Sequence, residues 1–376
     1  MNFKIQFHEP YRSSKCDTDV RKLLLNKKAS LFGFGDITNR NEKIIKKKFG
    51  FKDILFTNSC TSSLEIAALL TFRKNKNEVL MPSYTFSTTA SSFLRSNFSV
   101  KFLDIKDQTM MPDLDIIKKN ITKKTGVVVI VHYAGLPIND LDKLKIFCKK
   151  KKIFLVEDAA QALGSYYKNN ILGSFGDLAC FSYHETKNIH AGSGGMLVVN
   201  NKKFKEKAHF ILERGTDRRL VLKNLKKKYS WVTIGSSFNM TELNSAYLSY
   251  QLKNYDNIIK KRKKTYEKYL KFFKSNNLEK YFYFNQNRYK FNYHSLFIVL
   301  KKYSASKFIK FLKKNKIQCF IGYVPLHNSP FGRKIHNKKL LNTEFYSKKI
   351  VRLPIHNNIQ LQDIDYIKKV FEKFFF

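Results

Sequence analysis

Lys187 lies in the string FSYHETKN, after a short apolar run that ends at Ser182 and before a glycine-rich turn at Gly192, Gly194 and Gly195. A lysine held at the mouth of a sheet can condense with an aldehyde as a free amine, and can move a proton as a base. Three other stretches hold residues that suit such chemistry. Val156-Glu157-Asp158-Ala159-Ala160-Gln161 puts an acid just past an apolar run, where a carboxylate is costly unless a cation or hydrogen-bond donors meet it. Asn58 to Ser63 is a turn rich in small hydroxyl residues, and such a turn at a helix N-terminus binds anions. Pro82-Ser83-Tyr84-Thr85-Phe86 places aromatics beyond a further apolar run, where one can stack on a planar ring.

Each of these has an ordinary explanation when taken alone. Lysines are mostly solvated, Asp158 can cap a helix, Ser62-x-x-Glu65 reads as a capping box, and aromatics mostly pack in cores. Together, an acid, a lysine, a phosphate cradle and a stacking aromatic describe pyridoxal 5'-phosphate (PLP). The lysine forms a Schiff base with its aldehyde, and a carboxylate keeps the pyridine nitrogen protonated so that the ring accepts carbanion electrons. Gln161, one turn after Asp158, offers an amide to the same pocket.

The elements that must position these residues alternate. Strands are expected at 54–57, 79–81, 100–104, 127–131 and 153–156, and around Cys180 and Val198. The run at 127–131 is the clearest, being continuous, β-branched and free of proline. Helices are expected at 39–49, 64–72, 90–95 and 141–150. This alternation predicts an α/β fold, a mostly parallel mixed sheet sandwiched by helices, with the candidate residues at strand ends where open sheets place ligands. Beyond about residue 241 the pattern changes to one long helix at 242–272, then a strand at 295–300, a helix at 304–315 and a strand near 318–322. The expected organisation is a large domain over 1–245 and a smaller C-terminal α+β domain over 246–376.

Composition sets the outer limits. The chain has 376 residues and a formal net charge of +42, which invites a nucleic-acid reading. The lysines, however, are spread along the whole chain together with many Asn, Ile, Phe and Tyr, a pattern that coding bias explains, and no specific nucleic-acid partner is expected. The charge would still draw anionic substrates. Five scattered cysteines form no C-x-x-C pair, so neither a disulfide framework nor a zinc site is indicated. No signal-like N-terminus and no run long enough to span a membrane is present, and a soluble cytoplasmic protein is expected.

The order of these motifs resembles the DegT/DnrJ/EryC1/StrS sugar aminotransferases, PLP enzymes of fold type I. Within that family, SYHETKN, RGTDRR at 214–219, KYSWVTIGSSF at 228–238 and VPLH at 324–327 are most similar to the members that aminate dTDP-4-keto-6-deoxyglucose. Those members use L-glutamate to make dTDP-4-amino-4,6-dideoxygalactose for enterobacterial common antigen. The resemblance implies that Lys187 holds PLP as a Schiff base, that Asp158 pairs with the pyridine nitrogen, and that Gln161 contacts the phenolic oxygen. It also implies that Thr61, Ser62 and Ser182 bind the phosphate and that Phe86 stacks on the ring. It further implies a homodimer with shared active sites, in which Ser237 reaches the phosphate of the neighbouring subunit. Many members carry Asn at that position, and many carry a basic residue where this chain has Asn239. Family dehydratases have His in place of the lysine, so Lys187 speaks against that branch. A transaminase for another nucleotide-linked keto-sugar is the runner-up, and a non-catalytic basic binding protein on the same fold is the alternative from a different class.

Overall fold

A computed structural model describes residues 2–376. Its centre is a seven-stranded sheet of order β1-β9-β8-β5-β4-β2-β3. The strands are β1 (Ile54–Thr57), β2 (Glu78–Pro82), β3 (Ser99–Leu103), β4 (Thr125–Val131), β5 (Phe154–Asp158), β8 (Leu178–Ser182) and β9 (Gly195–Val199); β6 (Tyr166–Tyr167) and β7 (Asn170–Ile171) form a separate small hairpin. Only the pairings of β9 with β1 and with β8 are antiparallel. The rest of the sheet is parallel, as the alternation predicts.

Every residue of β4 is buried, which is what a strand covered on both faces requires. One apolar cluster holds Val127, Val129, Val156 and Leu197, and the other holds Val128, Ile130, Leu155 and Val198. These alternate residues face opposite sides of the sheet. A second sheet of order β10-β11-β12, made of β10 (Phe282–Phe284), β11 (Leu296–Leu300) and β12 (Ile350–Leu353), shares the second of those clusters. One continuous core therefore runs from the large sheet into the small one.

Three expectations are corrected. The single helix expected at 242–272 is two, Glu242–Lys253 and Tyr255–Ser275, parted at Asn254, whose φ of −94° and ψ of 11° interrupt the helical run. No glycine or proline announces the break; the Asn254 side chain ties it to the N-terminal segment by donating to the Tyr11 hydroxyl at 2.8 Å. The strand expected near 318–322 is an irregular segment held by an isolated bridge from Phe320 to Arg352, because Gly322 turns the chain away at a φ of +90°. The helix expected from residue 64 starts at Cys60. Helix Ser14–Leu25 was not anticipated; its signal is the cap at Ser13, whose side chain accepts from Lys15 N.

The N-terminal segment crosses the molecule to the small sheet. Lys4 N and Ile5 N donate to Lys316 O, and Gln318 N donates back to Ile5 O. Among the described residues no helix is long and apolar enough to cross a membrane.

Candidate active site

The ends of β2, β4, β5 and β8 open with the turn after β1 into a cavity of about 380 Å³. Asp158, the last residue of β5, is fixed by register with Val131 of β4 and Cys180 of β8. Its Oδ2 accepts from Thr89 Oγ1 at 2.7 Å and its Oδ1 from Ala160 N at 3.2 Å. Burial pushes its carboxyl pKa up, while those two bonds and the nearby Lys187 and His132 hold it down.

Its neighbour Glu157 belongs to the other side of the strand. Glu157 is fully buried, and its oxygens accept from Phe175 N at 2.7 Å, Gly176 N at 2.6 Å, Gly173 N at 2.7 Å and His132 Nε2 at 2.8 Å. Of the adjacent acids, one knits loops together and the other faces the cavity.

Lys187 stands in the turn after β8, its N–H donating to His184 O at 2.9 Å. Enclosure lowers its pKa; Cys60 opposes the drop, Arg352 adds to it and Asp158 opposes it, and no hydrogen bond contributes. The amine is thereby drawn toward the neutral, nucleophilic form. In the turn after β1, Ser59 is the N-cap of helix Cys60–Thr71, its Oγ accepting from Ser62 N at 3.1 Å. The helix is therefore capped at Ser59, and Ser62-x-x-Glu65 forms no capping box. Ser63 N makes the first regular helix bond, to Ser59 O, and Ser62 N is taken by the cap, so the N–H groups of Cys60 and Thr61 are among those the helix start leaves open for a ligand. Both residues line the cavity with Ser182. A Cβ on Gly195 would fall 2.4 Å from the Ser59 carbonyl carbon, so only glycine lets β9 run beside this turn.

Gln161 accepts from Ala134 N at 2.7 Å and donates through Nε2 to the Tyr323 hydroxyl at 2.8 Å, which leaves one amide N–H free. Phe86 is 56% exposed on the cavity rim, its ring 6.2 Å from that of Tyr323. Thr61, Phe86, Asp158, Gln161, Ser182 and Lys187, all singled out in the sequence, thus meet around one cavity. Ser62 stands behind the wall with its hydroxyl on Asn58 Oδ1 at 2.5 Å. Ser237 is exposed outside this cavity, its carbonyl accepting from Asn58 Nδ2 at 3.1 Å.

Sequence reasoning missed Thr89, His132, Tyr323 and Arg352, which also line the cavity. Thr89 lies one turn past the PSYTF stretch and Tyr323 directly precedes VPLH, so a closer look beside the motifs would have reached both.

The donor set fits PLP. It offers an unpaired lysine amine, an anchored carboxylate, a helix start with two open N–H groups, and a buried His132 Nδ1 that has no partner among the described residues.

A profile of the DegT/DnrJ/EryC1/StrS aminotransferase family matches residues 14–372. The chain belongs to this family. Its cofactor is pyridoxal 5'-phosphate. Among relatives, an uncharacterised protein of Methanocaldococcus jannaschii is 28% identical over 370 residues, 95% of each chain. The UDP-4-amino-4,6-dideoxy-N-acetyl-beta-L-altrosamine transaminase of Helicobacter pylori is 28% identical over 357 residues, 89% of each. Among solved structures, Helicobacter pylori PseC, an aminotransferase of pseudaminic acid biosynthesis, superposes with a TM-score of 0.89 at 26% identity, covering 100% of this chain and 99% of its own. The E. coli GDP-4-keto-6-deoxy-D-mannose-3-dehydratase with bound hydrated PLP shares the fold at a TM-score of 0.86 and 22% identity, covering 98% and 100%.

Proposed function

We propose that this aminotransferase moves the amino group of L-glutamate to the C4 ketone of a nucleotide-linked 4-keto-6-deoxy sugar, for a surface polysaccharide. The observation that carries this reading is the unpaired Lys187 amine beside Asp158 in one enclosed cavity. A C4 position agrees with the Helicobacter pylori relative, whose name carries a 4-amino-4,6-dideoxy sugar. The SYHETKN, RGTDRR and VPLH strings favour dTDP-4-keto-6-deoxyglucose, giving dTDP-4-amino-4,6-dideoxygalactose and a place in enterobacterial common antigen synthesis. A UDP-linked substrate is the second reading, supported by that relative's name.

Lys187 would hold the cofactor through Nζ. The Cys60 and Thr61 N–H groups with Ser182 would take its phosphate, Asp158 the ring nitrogen, and the free N–H of Gln161 the phenolic oxygen. Phe86 would cover one ring face. Bound there, PLP supplies an aldehyde that exchanges amines and a ring that takes up carbanion electron density. With the cofactor bound, the neutral Nζ of Lys187 would take the α-proton of glutamate, and in the second half-reaction it would return a proton at C4 of the sugar. Asp158, tied down by Thr89 and Ala160 N, keeps its charge in place throughout, which is the preorganisation such a site needs.

The site is completed in a homodimer, with Ser237 of the partner subunit at the phosphate. The five free cysteines agree with a reducing, cytoplasmic setting. Lys187→Ala should abolish both the visible absorbance of the bound cofactor and transamination; an unchanged spectrum would sink the assignment. Assays of the purified protein with glutamate and a panel of dTDP-, UDP- and GDP-linked 4-keto and 3-keto sugars, with product NMR, decide the substrate. Amination only at C3 would overturn the proposal.

A further inference from the structure

Besides Lys187, whose amine burial draws toward the neutral form, the cavity wall carries two guanidinium groups, Arg262 and Arg352, against one carboxylate, Asp158. Such a balance favours an anionic ligand. Arg262 is already engaged: its Nε donates to Tyr293 O at 3.1 Å, and one terminal nitrogen to His294 O at 2.7 Å and Ile355 O at 3.0 Å. It joins the small sheet to helix Tyr255–Ser275 and has little left for a ligand.

Arg352 is different. It sits on β12 in register with Phe297 of β11, and on its other side exchanges backbone hydrogen bonds with Phe320, at 2.7 and 3.4 Å. The side chain leaves this anchored backbone past Gly322, where a Cβ would come within 3.3 Å of Arg352 Cδ. The guanidinium lies 5.0 Å from the centre of the Phe7 ring, and its Nε donates to Ser295 Oγ at 3.2 Å. Stem, plane and one edge are thus fixed. Among the described residues its two terminal amino groups have no hydrogen-bond or ion-pair partner. A planar fork held still with its outer edge open is the geometry that receives a carboxylate in two parallel bonds.

We propose that Arg352 binds the α-carboxylate of the amino donor, an inference that rests on the transaminase reading above. The α-carboxylate is attached to the carbon whose proton Lys187 takes, so its reader must stand in the same enclosure as Lys187. Arg352 meets this condition, as it lines the same cavity as Lys187 and Tyr323. The cofactor's phosphate belongs at the other end, by Cys60 and Thr61. The diphosphate of a nucleotide sugar is borne on C1, across the ring from C4, and so belongs farther out toward the rim. An α-amino acid donor is therefore selected over simple amines by a residue outside the lysine–aspartate pair.

The test is the single half-reaction with donor alone, followed as loss of the visible cofactor band in the holoenzyme. Wild type should prefer glutamate over isoglutamine, its α-carboxamide, by about 100-fold, the size of one bidentate charge-assisted contact. Arg352→Gln should lose about 100-fold with glutamate and no longer distinguish the two donors, whereas its discrimination between glutamate and glutamine, which differ at the γ-position, should stay as in wild type. Arg352→Lys should fall between, keeping the charge without the fork. KM for the nucleotide sugar in the second half-reaction should be unchanged. An Arg352→Gln enzyme that still prefers glutamate over isoglutamine would overturn the proposal, as would a selective rise in the nucleotide-sugar KM. The wild-type donor comparison needs no variant and refutes the proposal if the two donors react equally. A wild type that reacts with glutamate yet aminates no sugar would refute the substrate reading alone; one that does not react with glutamate would bring both down.

Discussion

Glu157→Gln tests whether the acid behind the site acts as a structural knot. The change is nearly isosteric, but it replaces one acceptor oxygen with an NH2 group where both oxygens are fully used. With the NH2 at the Oε1 position, Phe175 N and Gly176 N both lose their acceptor; at the Oε2 position, Gly173 N does, and His132 Nε2 must give up its proton. The better arrangement leaves one buried N–H unpaired, at about 1–3 kcal/mol. The remaining bonds lose the help of a formal charge, which adds about 1–2 kcal/mol. The expected destabilisation is therefore about 2–5 kcal/mol. Unfolding entropy near 2.1 cal/mol/K per residue over 376 residues converts this to a fall in Tm of roughly 3–6 °C. Thermal unfolding of wild type and variant at matched concentration and cofactor loading measures it. A second signature is chemical: a proton moved from His132 Nε2 to Nδ1 turns the buried nitrogen that has no partner among the described residues from acceptor to donor. A Tm within 1 °C of wild type would refute the picture of a four-bonded carboxylate.

Other perturbations give further checks. Burial lowers the His209 pKa to about 3, and its Nδ1 is buried without a partner. Because the folded pKa lies below that of the unfolded chain, the unfolded state binds the extra proton between about pH 6.5 and 3, and stability falls as pH drops through that window. His209→Phe should flatten this part of the stability–pH curve, and a curve as steep as wild type would assign the acid loss to other groups. Thr89→Val removes the 2.7 Å bond to Asp158 Oδ2, a bond that favours the charged form. The acid limb of the kcat profile should move to higher pH; no movement would mean that Thr89 does not hold the carboxylate. Gly215 has a φ of +75° and a would-be Cβ 1.8 Å from Thr233 O. Gly215→Ala should therefore cost more than the roughly 1 kcal/mol of a left-handed alanine alone, and unfolding at or below that figure would show that the turn gives way.

The parts of this molecule that were legible in the sequence are those written in local pattern. The strand at 127–131 announces itself by unbroken β-branched residues, and Asp158 and Lys187 by standing just past such runs. What was hidden depends on distant partners. The break at Asn254 is held by Tyr11 from the other end of the chain, and no breaker residue marks it. Arg352 lies among 71 lysines and arginines, and nothing in its own neighbourhood separates it from the rest. Only the register of β12 and the ring of Phe7 make it special. The Glu157–Asp158 pair shows both cases together: Asp158 was readable from its place past the apolar run, but the role of Glu157 rests on His132 and the 173–176 loop, partners its own stretch does not reveal.

The N-terminal crossing has a consequence for how the protein is made. The cavity is lined by residues from Phe7 to Ile355, and the first strand-like segment is clasped by Lys316 and Gln318. During synthesis the large sheet can assemble early, since its strands are complete by Val199, and domains fold as units from the N-terminal end. The pocket cannot. Its Phe7–Arg352 contact joins a residue that precedes the whole large sheet to one on β12, so cofactor capture is expected to wait until β12 has been made and docked.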